Sequence, residues 1–177
     1  SLVIPGVKEI SIHDAYDVMV HFVQHMFRDL TDRIEAYEIV GSYCPGDYDL
    51  SIDGRKFAGI SQRRIKDAAA IQIYLDVAGN SFERAEHIRT FYELGINGEQ
   101  TTFTYPEIVP EVMGSLSDLL DYPLTVKDVK QRVYDTLESF SEKIIAKDFS
   151  DLEKKTFVKR YDQMIKRNEK LSGGVKG

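Results

Sequence analysis

Apolar residues return every third or fourth position from Ala15 onward, at Ala15, Val18, Met19, Phe22, Val23, Met26, Phe27 and Leu30. That spacing covers one face of a helix, and Ser11 stands where its N-cap belongs. The period then changes. Ile34, Ala36, Tyr37 and Ile39 stand among charged neighbours and predict a strand over 34–40. Asp49 to Ile52 and Arg55 to Gln62 flank Asp53-Gly54, a dipeptide that supplies the positive φ angles of a type I′ turn, so a β-hairpin is expected. Arg63-Arg64-Ile65-Lys66-Asp67 reads as a basic turn into another strand over 68–77, where Ile71, Ile73 and Leu75 alternate with Tyr74 on the opposite face. Leu2-Val3-Ile4 has the look of a strand already under way, so we expect the C-terminal part of a longer protein.

The second half turns helical. Ser81 is expected to cap a helix ending near Leu94, with Gly95 in the usual stop position. The stretch from Thr101 to Pro110 holds two prolines and predicts irregular chain, followed by a short helix over 115–120. Thr125 caps a helical stripe of Val126, Val129, Val133, Leu137, Phe140 and Ile144. Ser150 and Glu153 form a capping box that opens a last helix with Phe157, Tyr161 and Met164 on one face. The fold class is α+β, a mostly antiparallel sheet with flanking helices and a helical C-terminal region. The expected boundaries are a catalytic part over 1–122, a helical extension over 123–171 and a flexible tail over 172–177.

Composition narrows the class. The 177 residues carry 23 basic and 29 acidic side chains, a net charge of −6, with no block of one sign, which argues against a general nucleic-acid binder. No apolar run approaches the roughly 20 residues a membrane span needs. One cysteine cannot form an internal disulfide, which fits a reducing cytoplasm.

That cysteine, Cys44, lies in the Pro/Gly-containing loop Ser42-Tyr43-Cys44-Pro45-Gly46-Asp47-Tyr48, twelve positions before Lys56. A thiolate is a strong nucleophile, and a nearby cation favours it over the thiol. All four histidines are distant in sequence, so a lysine is the nearest candidate to ionise the thiol and to protonate a leaving group. Gly59 lets a carbonyl approach the backbone. Residue types alone leave a second reading open, in which the cysteine is a small buried hydrophobe.

The stretch from Gly41 to Arg63 resembles the superfamily of lipoyl and octanoyl transferases, lipoate-protein ligases and biotin ligases. Tyr48-Asp49-Leu50 and Lys56-Phe57-Ala58-Gly59 stand where the lipoate ligases carry Asn-Asp-Leu and Lys-Val-Ser-Gly. The Ser-Tyr-Cys-Pro-Gly loop is similar more narrowly to the N-octanoyltransferases of Gram-positive bacteria that use the octanoylated glycine cleavage H protein as donor. The resemblance is dense over residues 35–76 and fades after Thr125. It implies a catalytic domain like those of class II aminoacyl-tRNA synthetases and biotin ligases, without cofactor or metal. It implies an acyl-thioester at Cys44, a thiol tuned by Lys56, and lipoyl domains of 2-oxoacid dehydrogenase complexes as acceptors. The superfamily's Arg-x-x-Gly-Gly segment is missing, in keeping with a chain that lacks its N-terminal part.

Around this pair, Tyr43, Asp49, Gly59, Ser61 and Gln62 are the candidate substrate-binding residues. Tyr43 and Tyr48 flank the thiol and can shield a thioester, and Asp49 is also read as a loop-ordering residue. Arg63, Arg64 and Lys66 are either a solvated turn or a surface for an acidic carrier. His21 and His25, four apart on one helix, lack a third ligand and give no metal site. Rival functions are an octanoyl transferase fed by acyl carrier protein, an ATP-dependent lipoate ligase, and a non-catalytic domain that binds lipoyl domains.

Overall fold

Five strands form one antiparallel sheet in the order β1-β5-β4-β3-β2. They are β1 (Leu2–Pro5), β2 (Ile34–Ala36), β3 (Leu50–Ile52), β4 (Arg55–Ile65) and β5 (Ala68–Leu75). The helices are α1 (Ile12–Met26), α2 (Ser81–Ile96), α3 (Leu116–Leu120), α4 (Val126–Phe140) and α5 (Asp151–Ser172), with a 3-10 turn at Pro110–Val112. The structure, a computed structural model, describes residues 1–102 and 104–172. The tail expected over 172–177 therefore lies outside the described residues, except for Ser172 at the end of α5.

The helical stripe of α1 becomes the core face. Ser11 caps it with a full capping box, and Met19, Val23, Met26 and Phe27 are buried against Leu50, Ile52, Phe57 and Ile71 of the sheet. Each such fully buried side chain stabilises the fold by about 1.5–3 kcal/mol. A smaller cluster, separate from this core, joins Ala85, Ile108 and Met113, with Tyr43, Ile88 and Tyr92 against it. Here the segment after the 3-10 turn is stitched to β4: Gly114 N–H donates to the Lys56 carbonyl at 3.0 Å and the Arg55 guanidinium donates to the Met113 carbonyl at 3.1 Å.

Several boundaries move, each for a local reason. The strand expected over 34–40 pairs only as far as Ala36, because the Ile39 N–H is taken by the Asp49 carboxylate at 3.3 Å instead of a neighbouring strand. The Asp53-Gly54 turn forms with φ of 52 and 75, as I′ geometry needs. Arg63 and Arg64 continue β4, and the chain turns only at Lys66 (φ 55) and Asp67. The Arg64 guanidinium is spent on the carbonyls of Ile10 at 2.8 Å and Ser11 at 2.5 Å, so it secures the entry to α1. Asn80, rather than Ser81, caps α2. That helix runs through Gly95, and Asn97 (φ 48) ends it with its N–H on the Glu93 carbonyl at 2.9 Å.

By its contacts the chain divides into Ser1–Ser141 and Glu142–Gly177. The first unit thus includes α4, whose Arg132 forks the Asp29 carboxylate at 2.6 and 2.8 Å, beyond the end of α1. The division falls well after the boundary expected near 123. In the second unit, Ser150 and Glu153 exchange the reciprocal bonds of a capping box at the start of α5, and Phe157 stacks on Tyr161.

Candidate active site

The thiol loop leaves Gly41, which has φ of 86 and passes its carbonyl to Val109 N–H at 2.8 Å. Ser42 is fully buried, and Cys44 reaches the surface as a free, exposed thiol. Its own backbone is left-handed, φ 48, a region in which non-glycine residues are uncommon.

Beneath the loop lies a buried ion pair. Lys56 is 4% exposed and Asp49 2%, and Lys56 Nζ stands 2.8 Å from Asp49 Oδ1. Nζ also donates to Ser42 Oγ at 3.2 Å and to the carbonyls of Tyr43 and Cys44 at 3.1 and 3.0 Å. Asp49 Oδ2 accepts from the N–H groups of Gly46 and Ile39 at 3.2 and 3.3 Å and from Ser42 Oγ at 3.5 Å. A bulge sets this up: Ser51 pairs with Lys56 but Leu50 with Ala58, leaving Phe57 as the extra residue.

Two aromatic anchors hold the loop at its sides. Tyr48 stacks on Tyr16 of α1 with ring centroids 4.5 Å apart, and its hydroxyl lies 3.1 Å from His13 Nδ1. Tyr43 packs against the α2 cluster. Burial, joined by Tyr74 and Asp76, pushes the Tyr43 phenol up from its ordinary range, with Arg84 opposing. Asp76, itself buried, accepts from Ser81 Oγ at 2.8 Å and pairs with Arg84.

Cys44 opens on a cavity of about 350 Å³ lined by Tyr43, Lys56, Gly59, Ile60, Ser61 and Tyr74, among others. That size falls in the range of about 300–1,000 Å³ usual for small-molecule sites. Gly59 lines the floor, where an added Cβ would meet Lys56 Cε at an ordinary contact distance of 3.7 Å. Of the residues expected from sequence, Tyr43, Cys44, Asp49, Lys56, Gly59 and Ser61 are brought together. Gln62 is not. It alternates to the α1 face, where Nε2 donates to the Ile12 carbonyl at 3.0 Å and Oε1 accepts from Arg64. Ser42 and Tyr74 were missed. Tyr74 was legible, because it pairs with Gly59 across β4 and β5 and must share its face. Tyr43 and Tyr74 also border a second cavity of about 380 Å³ with Arg84, His87 and Ile88.

An exposed loop thiol stands above a buried lysine on an antiparallel sheet, and comparisons with known proteins place the chain in a family of catalytic domains. Residues 1–138 match the model of the lipoyl protein ligase A/B catalytic domain, and the chain belongs to that family. It is 62% identical over 169 residues to the octanoyl-[GcvH]:protein N-octanoyltransferase of Oceanobacillus iheyensis, covering 96% of this chain and 61% of the relative. It is 52% identical over 171 residues to the protein of the same name from an Exiguobacterium species, covering 97% and 61%. The chain thus spans about three fifths of the length of these curated relatives. Among solved structures, a candidate lipoate protein ligase from T. acidophilum with bound lipoic acid superposes with a TM-score of 0.64 at 12% identity, over 91% of this chain and 58% of that one. This likeness extends the shared fold to the lipoate ligases.

Proposed function

We propose that this chain carries the acyl-transfer centre of a protein octanoyltransferase of lipoate biosynthesis, with Cys44 as nucleophile. The donor is the octanoylated glycine cleavage H protein, the donor that the names of the curated relatives carry. The acceptors are lipoyl domains of 2-oxoacid dehydrogenase complexes. The single observation behind this reading is an exposed thiol at the mouth of a cavity whose floor is a buried lysine–carboxylate pair and a glycine.

The chemistry runs in two balanced halves. The Cys44 sulfur attacks the carbonyl carbon of an octanoyl-lysine amide, the C–S bond forms, and the C–N bond breaks. The thiol's proton ends on the departing amine. A neutral acceptor lysine then attacks the thioester carbonyl, the C–N bond forms, the C–S bond breaks, and a proton returns to sulfur. Donor and product are both amides, so the exchange is close to thermoneutral and needs no ATP. The thioester is the uphill point, and binding energy is best spent there. Ile60 and Tyr74 offer the acyl chain an apolar wall, and Tyr43 and Pro45 border the same cavity beside Cys44. A thiol that must stay reduced suits the cytoplasm. Among the described residues no helix is long and apolar enough to cross a membrane.

Incubation with octanoylated H protein followed by electrospray mass measurement tests the reading. The expected product is a hydroxylamine-sensitive gain of about 126 Da, the mass of one octanoyl group on a nucleophilic thiol, lost in Cys44→Ala. An adduct formed only from octanoyl-acyl carrier protein moves the donor. No adduct from either donor overturns the nucleophile assignment.

A further inference from the structure

The thiol cavity has a neighbour. Tyr43 and Tyr74 border both it and the second cavity of about 380 Å³, which Arg84, His87 and Ile88 complete. Those three residues share one face of α2, since side chains three and four apart on a helix stand together. The lining is therefore two phenol rings and an isoleucine with a cationic edge. Arg84 is anchored there, its Nη2 paired with buried Asp76 and donating to Ser81 Oγ at 3.2 Å. Its Nε, shielded from solvent, has no hydrogen-bond partner among the described residues, and such an unmade bond is rare in a folded protein. The carboxylates of α2 nearest to it are engaged elsewhere, Glu83 with Asn80 and Glu86 with Arg89. The basic turn, read from sequence as a surface for an acidic carrier, has its Arg64 on the carbonyls of Ile10 and Ser11 instead.

We propose that the second cavity receives the peptide segment flanking the carrier's lysine, and that Arg84 and His87 select segments with a carboxylate beside that lysine. This rests on the acyl-transfer reading above. A transfer centre holds two different things at the sulfur, the acyl chain and the segment that bears the amine. The thiol cavity takes the first. The amine that leaves in one half-reaction and the amine that attacks in the other occupy the same place beside the thioester carbon, so one further cavity serves donor and acceptor alike. Tyr43, Tyr74 and Ile88 pack the lysine stem, and the planar guanidinium suits a carboxylate.

Two short donors test this, N-acetyl-Asp-Lys(octanoyl)-Asp-amide and the same peptide with Asn in place of each Asp. Acylation of Cys44 is followed by electrospray mass measurement, and the ratio of the two second-order rate constants is the readout. Wild type is expected to prefer the acidic peptide by about tenfold, the order that one charge-assisted hydrogen bond supplies. Arg84→Lys keeps a cation beside Asp76 and loses the fork, and His87→Glu puts a carboxylate at an exposed position on the wall. In each the ratio is expected to fall to about threefold or less. Lys130→Glu, exposed on α4, also lowers the net charge and is expected to keep the wild-type ratio. Equal rates from the two peptides in wild type, or a preference that survives in both α2 variants, overturns the proposal. So does an equal fall in Lys130→Glu, because net charge then accounts for it. Titration with the unacylated Asp-Lys-Asp peptide gives a reading that needs no chemistry at sulfur. Shifts in the backbone amide resonances of 84–88 support the cavity, and their absence overturns it. If neither donor acylates wild-type Cys44, the acyl-transfer reading falls and the titration decides alone.

Discussion

Two ionised side chains under the loop are nearly out of solvent, and each is tolerable there only because of the other. Lys56 and Asp49 are 4% and 2% exposed. Removing one partner strands a buried charge, which costs about 3–5 kcal/mol, whereas replacing both with apolar groups of similar size is often close to neutral. Chemical denaturation of Lys56→Met and Asp49→Ala is therefore expected to show a loss of that order for each. The paired Asp49→Leu/Lys56→Met should lose far less than the sum. The free thiol cannot show such coupling, since Cys44 is exposed and its side chain adds little to the fold. The stability of this site thus rests with the residues beneath the loop and not with the exposed residue at its tip.

Elements in this chain are ended by side chains as much as by their own propensities, and that is where the sequence was hardest to read. The periodicities of α1, of the hairpin and of α4 are local and were legible, down to the caps at Ser11 and Thr125. Ile39 was not, because the carboxylate that captures its N–H belongs to Asp49, ten residues on. The stop at Gly95 failed because Asn97 takes the left-handed position two residues later, and the basic turn failed because Arg63 and Arg64 pair with Ala70 and Ala69 of β5, with the Arg64 guanidinium on the carbonyls of Ile10 and Ser11. Cys44, Lys56 and Gly59 could be picked out from residue type and resemblance. The bonds that Lys56 Nζ makes could not, since they depend on the bulge at Leu50 and Ser51. The contact between Asp29 and α4 is equally non-local. Arg132 holds the Asp29 carboxyl below its ordinary 3.8, so this stabilisation is present above that value and is lost as pH falls through the depressed one. Asp29 is 56% exposed, and screening limits the pair to under about 1 kcal/mol. The wild-type advantage over Arg132→Met in thermal melting should be modest at neutral pH. It should shrink below about pH 4, as a carboxylate gains its proton.

For the whole molecule, the division after Ser141 has a direct readout. Residues 142–150 are exposed and lack helix or strand, while the main core draws on residues from Leu2 to Leu137. Brief trypsin treatment is expected to cut first in 142–150, where Lys143 and Lys147 stand. The fragment ending there should keep cooperative melting, because segments with few buried contacts open at the lowest cost. First cleavage inside β4 or α1 would contradict this.

The hairpin also constrains how a gene for this fold can change in length. Between Cys44 and Lys56 the chain spends its residues on the loop, three residues of β3 and a two-residue turn. One residue gained or lost in the hairpin moves Lys56 by about 3.3 Å along the sheet and turns it to the opposite face. Viable insertions and deletions should therefore gather elsewhere, for example in the irregular stretch before Pro110, and a variant that keeps both residues at another separation should fold without assembling the site.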